Sequence, residues 1–154
     1  MVKGFKKIFI LFSLLTFSAT TFAADINAAF SINLNLFAII TITKVRDLTF
    51  PDTTLTGSAF NIVVATGSSN AAAFNVTGTS SGSITRSIVE STVNMSTAGA
   101  SGTIAVDTFI ISGPTAFDLS GNANNILVGA TAHVLASSQD GNYSGTGTLR
   151  VVYL

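Results

Sequence analysis

The chain contains no cysteine and no tryptophan, only two prolines, and charged residues make up just 9% of its 154 positions. Without thiols there are no disulfides, no thiolate metal sites and no lipid anchor through an N-terminal cysteine. No apolar run reaches the roughly 20 residues of a spanning helix, so no membrane span is expected after N-terminal processing. Long basic tracts are missing too, and with them the electrostatic footprint that nucleic-acid binding requires.

What is present begins with Lys3, Lys6 and Lys7 ahead of the apolar run 8–17, followed by Thr21-Phe22-Ala23, with small residues on either side of Phe22. This is the pattern of a signal peptide over residues 1–23. It predicts export through the inner membrane to the periplasm, and from there to the cell surface or the surroundings. Removing it takes away three of the basic residues. Lys44, Arg46, Arg86 and Arg150 then face Asp25, Asp47, Asp52, Glu90, Asp107, Asp118 and Asp140, so the mature chain is acidic. One domain is expected at this length.

From Ile26 the even positions read Ile26, Ala28, Phe30, Ile32, Leu34, Leu36, Ala38, Ile40 and Ile42, while Asn27, Ser31, Asn33, Asn35, Thr41 and Thr43 fall on odd ones. A period of two is that of a β-strand with one buried face. A rise of about 3.3 Å per residue makes the run far longer than a usual strand of about 5–6 residues. It therefore divides near 37–39, where the odd side also turns apolar, into an N-terminal arm at 24–36 and a first strand of a β-domain at 37–154. Short β-rich runs follow at 48–50, 59–65, 73–77, 84–89, 103–112, 126–135 and 146–153, separated by Gly, Ser, Asn, Asp or Pro. Segments 67–70, 78–82 and 121–125 carry turn chemistry. No window has capped helical periodicity, so the expected class is an all-β sandwich. The mature chain has 34 Ser and Thr, and hydroxyls rather than charges must cover its outer faces.

The last fourteen residues carry the most specific signal. Gly141 stands fourteenth from the end, Tyr143, Gly145, Gly147, Leu149, Val151 and Tyr153 alternate after it, and Tyr153 is penultimate. This resembles the C-terminal motif of chaperone–usher pilins, the fimbrial subunits. The body is also similar to a bacterial secreted domain-of-unknown-function family, number 4402. The residues that carry this likeness are 42–50, Phe74-Asn75-Val76-Thr77-Gly78, Val106-Asp107-Thr108-Phe109, Val128-Gly129-Ala130-Thr131 and 141–145. Pro51 departs from it at the turn after Leu48-Thr49-Phe50.

The resemblance implies an immunoglobulin-like (pilin-like) β-sandwich with an N-terminal extended donor-type strand. It implies a non-enzymatic structural subunit of a surface fimbria or pilus, without cofactors. The donor residues are then Ile26, Ala28, Phe30, Ile32, Leu34 and Leu36, and the C-terminal assembly motif is Gly141, Tyr143, Leu149, Val151 and Tyr153. Partners are identical or related subunits, with a periplasmic chaperone and an outer-membrane usher implied by the pilin likeness. Strand addition to an open sheet edge is the mode of recognition. Arm and groove are different surfaces, so contacts run head-to-tail into an open filament. The alternative is that the arm is the first strand of its own complete sandwich, a self-contained secreted binding module of unknown ligand with loops at 112–117 and 121–125.

Chemical motifs point less far. Gly78-Thr79-Ser80-Ser81-Gly82 matches G-x-S-x-G, and Asp107 or Asp118 followed by His133 has the order of a hydrolase triad. A nucleophile elbow needs a helix after the serine, and none is expected here. The sole histidine, His133, reads as solvent-facing or at a polar edge. Asp140 opens a calcium-like loop, but Val151 occupies the position that requires a bidentate Glu. Lys44 is the only mature lysine and Glu90 the only glutamate, which leaves an isopeptide bond to Asn as a candidate.

Overall fold

The computed structural model describes residues 27–99 and 102–154. The segment 1–23, expected to be a signal peptide, and Ile26 of the arm lie outside the described residues. The chain divides into two units, residues 1–34 and 35–154. In the first unit, residues 27–34 form neither helix nor strand. The second holds β1 (Thr41–Arg46), β2 (Phe60–Val64), β3 (Ala72–Thr77), β4 (Ile84–Ile88), β5 (Val93–Met95), β6 (Ile104–Ser112), β7 (Asn122–Val134) and β8 (Leu149–Tyr153). The fold is all-β, and no helix among the described residues is long and apolar enough to cross a membrane.

The large sheet is organised by β7. One of its edges pairs first with β3, from Asn122↔Thr77 to Val128↔Ala72, and then with β2, from Ala130↔Val64 to Val134↔Phe60. The hand-over falls at Gly129, where a Cβ would lie 2.3 Å from the Val64 carbonyl oxygen. The opposite edge pairs with β6, and β1 and β5 extend the sheet beyond β3 and β6. The small sheet has two strands, β4 and β8, in register from Ile84↔Tyr153 to Ile88↔Leu149.

Side-chain alternation builds the core between the sheets. On β7, Ile126, Val128, Ala130, Ala132 and Val134 are buried, while Leu127, Thr131 and His133 turn to the other face. One cluster joins Val76, Ala123 and Ile126 of the large sheet to Ile84 and Val151 of the small one, with Phe117 between them. A second gathers Ile104, Val106, Ala130, Ala132 and Val134. On β6 a register shift between Asp107 and Ile110, with Thr108 at φ 50°, changes the phase so that Phe109 packs into the second cluster and Ile111 into the first. An extra residue in one strand re-aims the side chains that follow it.

The expected runs at 59–65, 73–77, 84–89, 103–112 and 146–153 correspond to β2, β3, β4, β6 and β8. Three readings differ. The first strand begins at Thr41, not near 37–39. Segment 48–50 is not a strand, although the Thr49 N–H donates to the Asn70 carbonyl at 2.9 Å. Segment 121–125, read as a turn, instead opens β7: Asn122 and Ala123 pair with Thr77 and Val76. Asn125 takes φ 60° beside a register shift in that pairing, and asparagine tolerates this conformation better than most residues. Its local chemistry is turn-like, but the ladder with β3 prevails. The three-residue β5 had no sequence signal long enough to identify it.

Ile126→Ala removes a fully buried side chain shared by both sheets. The expected loss is about 2–5 kcal/mol by denaturant unfolding. A loss below about 0.5 kcal/mol, the range of ordinary surface changes, would contradict this core assignment.

Candidate functional site

β8 pairs with β4 along one edge, and no strand among the described residues pairs with its other edge. An apolar cleft of about 330 Å³ lies against Leu149 and Gly145–Gly147. Its other walls are mostly apolar, with Phe74, Val128, Val106 and Phe109 of the large sheet, Val93 and Met95 of β5, Ile88 of β4, and Leu48 and Phe50 from the β1–β2 connection, and Lys44 and Asp47 also line it. A wider cleft of about 780 Å³ shares Leu48, Phe50, Met95 and Gly145 with the first. Phe60, Ile62, Ile104, Ala132 and Val134 also line it, together with the polar residues Asp52, Thr53, Asp140 and Asn142. A two-stranded sheet over a six-stranded one leaves this apolar interior reachable from outside.

The C-terminal motif is laid out in a line. Gly141 has φ 149°, and a Cβ there would come within 2.9 Å of Thr97 Oγ1. Tyr143 packs on the second core cluster, and its hydroxyl donates to the Gln139 carbonyl at 3.0 Å. Ser144 exchanges two backbone hydrogen bonds with Ser96, each 2.9 Å, which ties the segment to the end of β5. Leu149, Val151 and Tyr153 then face the first cluster, while Arg150 and Val152 are exposed. The five motif residues thus lie along one segment, Tyr143 on the second cluster and Leu149, Val151 and Tyr153 on the first, and do not converge on a point.

Glu90 fastens the start of this last strand. Its carboxylate accepts from the Thr148 N–H at 2.7 Å and from the Thr148 hydroxyl at 2.8 Å. The Thr148 N–H first, then its hydroxyl, hold the Glu90 carboxyl below its ordinary value of 4.5.

At the other end, Tyr153 holds the chain that precedes β1. Its hydroxyl donates to the Ala38 carbonyl at 2.8 Å and accepts from the Thr79 N–H at 2.7 Å, while the Ala38 N–H donates to Thr79 Oγ1. Phe37 stacks on the Tyr153 ring with centroids 4.7 Å apart, and Phe117 approaches it at 5.8 Å. Gly78 and Gly82 make the room: a Cβ on Gly78 would sit 2.5 Å from both Tyr153 Oη and Phe117 Cζ, and one on Gly82 would sit 3.1 Å from the Tyr153 ring. The two glycines of the G-x-S-x-G match are therefore explained by packing.

Of the donor residues, Ala28, Phe30, Ile32, Leu34 and Leu36 are described, and all are exposed. Phe30 is 82% exposed, Ile32 83%, Leu34 79% and Leu36 80%, although side chains of this size are usually buried. The alternation predicts a strand, yet residues 27–40 join no ladder. A strand exists only where a partner edge takes its backbone groups.

The remaining motifs resolve into local structure. Asp107 and His133 do meet, at 2.8 Å, with Asn61 2.8 Å from the other ring nitrogen, and His133 is part-exposed as the sequence suggests. Thr108 also donates to Asp107, and the His133 ring first and the Thr108 hydroxyl second hold the Asp107 carboxyl below its ordinary value. The serines of the motif lie elsewhere. Gly78 bonds to Gly121, twelve positions before His133 along β7, which is roughly 40 Å at about 3.3 Å per residue. No triad forms from these residues. The Asp118 carboxylate accepts the Ser120 and Asn122 N–H groups and thereby caps its own turn. Lys44 pairs with Asp47 at 2.7 Å.

A family model described as "Domain of unknown function (DUF4402)" matches residues 51–153, more than half of the chain. The matched range takes in β2 to β8 and the C-terminal motif, and it begins after the arm and β1. Comparison with curated proteins and with solved structures gave no match.

Two outcomes are expected at this site. Gly78→Ala forces Tyr153 and Phe117 to move and should cost about 1–3 kcal/mol by chemical denaturation; an unchanged midpoint would refute the tight seat. Glu90 has its folded pKa lowered, so its stabilising contribution is complete above the ordinary 4.5 and is lost as pH falls through the lowered value. Thermal unfolding of Glu90→Gln should therefore differ from the native chain at neutral pH and converge with it in acid. A constant difference across that range would exclude the Glu90–Thr148 contact as its source.

Proposed function

The chain belongs to the family described as a domain of unknown function, DUF4402, and from that premise we propose that it is an exported structural subunit of a surface fimbria or pilus. The subunit polymerises by donating its N-terminal arm to a neighbouring copy. Identical or related subunits are its partners, and a periplasmic chaperone and an outer-membrane usher would carry it from the periplasm to the cell surface. The observation that supports the reading most is the match of two open features. Among the described residues β8 has a single partner strand, and its Leu149 lines an apolar cleft. The arm supplies Phe30, Ile32, Leu34 and Leu36, all about four-fifths exposed, at the spacing of one strand face.

An unpaired edge beside exposed apolar surface is an aggregation hazard that a donated strand removes. Placing four such side chains in a neighbour's cleft is worth about 1.5–3 kcal/mol each before ordering costs. The sum is on the order of 10 kcal/mol, and main-chain hydrogen bonds to β8 would add direction and register. A second reading, a self-contained secreted module that binds a ligand, is favoured by one observation: the wider cleft has polar residues on its lining.

Introducing Asp at an arm position tests the reading. In native surface extracts the unaltered chain should give a ladder on unboiled gels that collapses on boiling, with thin filaments in electron micrographs. Phe30→Asp and Ile32→Asp should abolish the ladder and leave the unfolding midpoint of the monomer unchanged within about 0.5 kcal/mol. A single soluble monomer from the unaltered chain, or unfolding of the monomer by either substitution, would overturn strand donation in favour of the self-contained module.

A further inference from the structure

The proposed strand exchange involves the arm and the open edge of β8, but it leaves unexplained why a residue with no ladder partner has both its backbone groups bound. Ala38 lies between the arm and β1, outside any strand. Its carbonyl accepts from Tyr153 and its N–H donates to Thr79, while the Thr79 N–H donates back to the Tyr153 oxygen. Three hydrogen bonds close a ring through positions 38, 79 and 153. Backbone groups at such a position could be satisfied by water alone. Here the Tyr153 side chain reaches across 115 positions of sequence to satisfy one of them.

We propose that Tyr153 is a positioning residue that clasps the root of the arm to the end of β8, fixing the point at which the chain leaves the sandwich. Phe37 stacked on one part of the ring and Phe117 tilted against another restrict its rotation. Gly78 and Gly82 admit it closely enough to reach the Ala38 carbonyl. In a head-to-tail polymer, tension on an arm passes through residues 37–40 of the subunit that owns it. The clasp carries that load straight into β8, the strand that borders the cleft for the next arm, so donor and acceptor become one mechanical element. This use of the clasp rests on the strand-donation reading; the clasp itself is a property of the single chain.

Amide hydrogen exchange on the full-length chain tests it, with Tyr153→Phe removing only the hydroxyl and Thr79→Val removing only the acceptor for Ala38. In Tyr153→Phe the amides of Ala38 and Thr79 should exchange about tenfold faster, while Val76 and Ile126 keep their protection. In Thr79→Val the Ala38 amide alone should accelerate. Unchanged Ala38 and Thr79 amides in Tyr153→Phe, or a uniform rise that includes Val76 and Ile126, would overturn the clasp, the second because it marks simple loss of packing. On unboiled gels, ladders of Tyr153→Phe should collapse at a lower temperature than native ladders. If the amides respond and the ladder temperature does not move, the load path is wrong. If the amides respond and the native chain gives no ladder, strand donation has failed and the clasp stands.

Discussion

A six-stranded sheet faced by only two strands cannot have its whole inner surface covered, and the rest of this structure follows from that imbalance. The hydrophobic effect drives both sheets to bury their apolar faces, and where they overlap the result is dense: Ile126 and Val76 are wholly buried and Ile84 nearly so. Beyond the overlap, Phe74, Phe109, Val128 and Leu48 still face inward and line a cleft. Leu149 of β8 also lines it, and among the described residues β8 pairs with a strand along one edge only. An extended chain with large apolar residues at alternate positions would suit such a floor and edge.

The arm has that composition, and its own state follows from the same physics. Over residues 27–36 its polar positions are asparagines and serine, which cost little when exposed, while Phe30, Ile32, Leu34 and Leu36 are large apolar side chains left exposed. An isolated strand gains nothing from its backbone groups without a partner edge, so the alternation stays a pattern and does not become a ladder. The junction between this arm and β1 is the better defined part, because Tyr153, Thr79 and Phe37 meet there.

Scarcity of charge shapes the remainder. With so few ionic groups, the side chains that are charged serve as local fasteners: Glu90 holds Thr148, Asp118 caps its turn, Asp107 joins His133 on the outer face of β7, and Lys44 meets Asp47. Arg86 differs from these. It lies on β4 opposite Val151, and its Nη1 is buried without a hydrogen-bond partner. That orphaned donor sets a cost against the small sheet, which its pairing and the shared core must outweigh.

The sequence by itself determined the class of the fold, because short β-rich runs such as 73–77, 103–112 and 146–153 are separated by turn residues and no window has capped helical periodicity, and those preferences are local. It also determined which residues of the last segment face inward, since Tyr143, Leu149, Val151 and Tyr153 share one parity. It did not show β5, too short for a period to register, or the opening of β7, where Asn122 and Ala123, in a segment rich in turn residues, are held in a ladder by Thr77 and Val76. The reason for glycine at positions 78, 82 and 129 was equally hidden, because each is required by an atom distant in sequence: the Tyr153 ring, the Phe117 ring or the Val64 carbonyl. Only the tertiary structure decided that one edge of β8 has no partner strand among the described residues, that two clefts share Leu48 and Phe50, and that Tyr153 reaches Ala38. Pairing, cavity and clasp are relations between segments, and alternation along a segment fixes its faces without naming its neighbours.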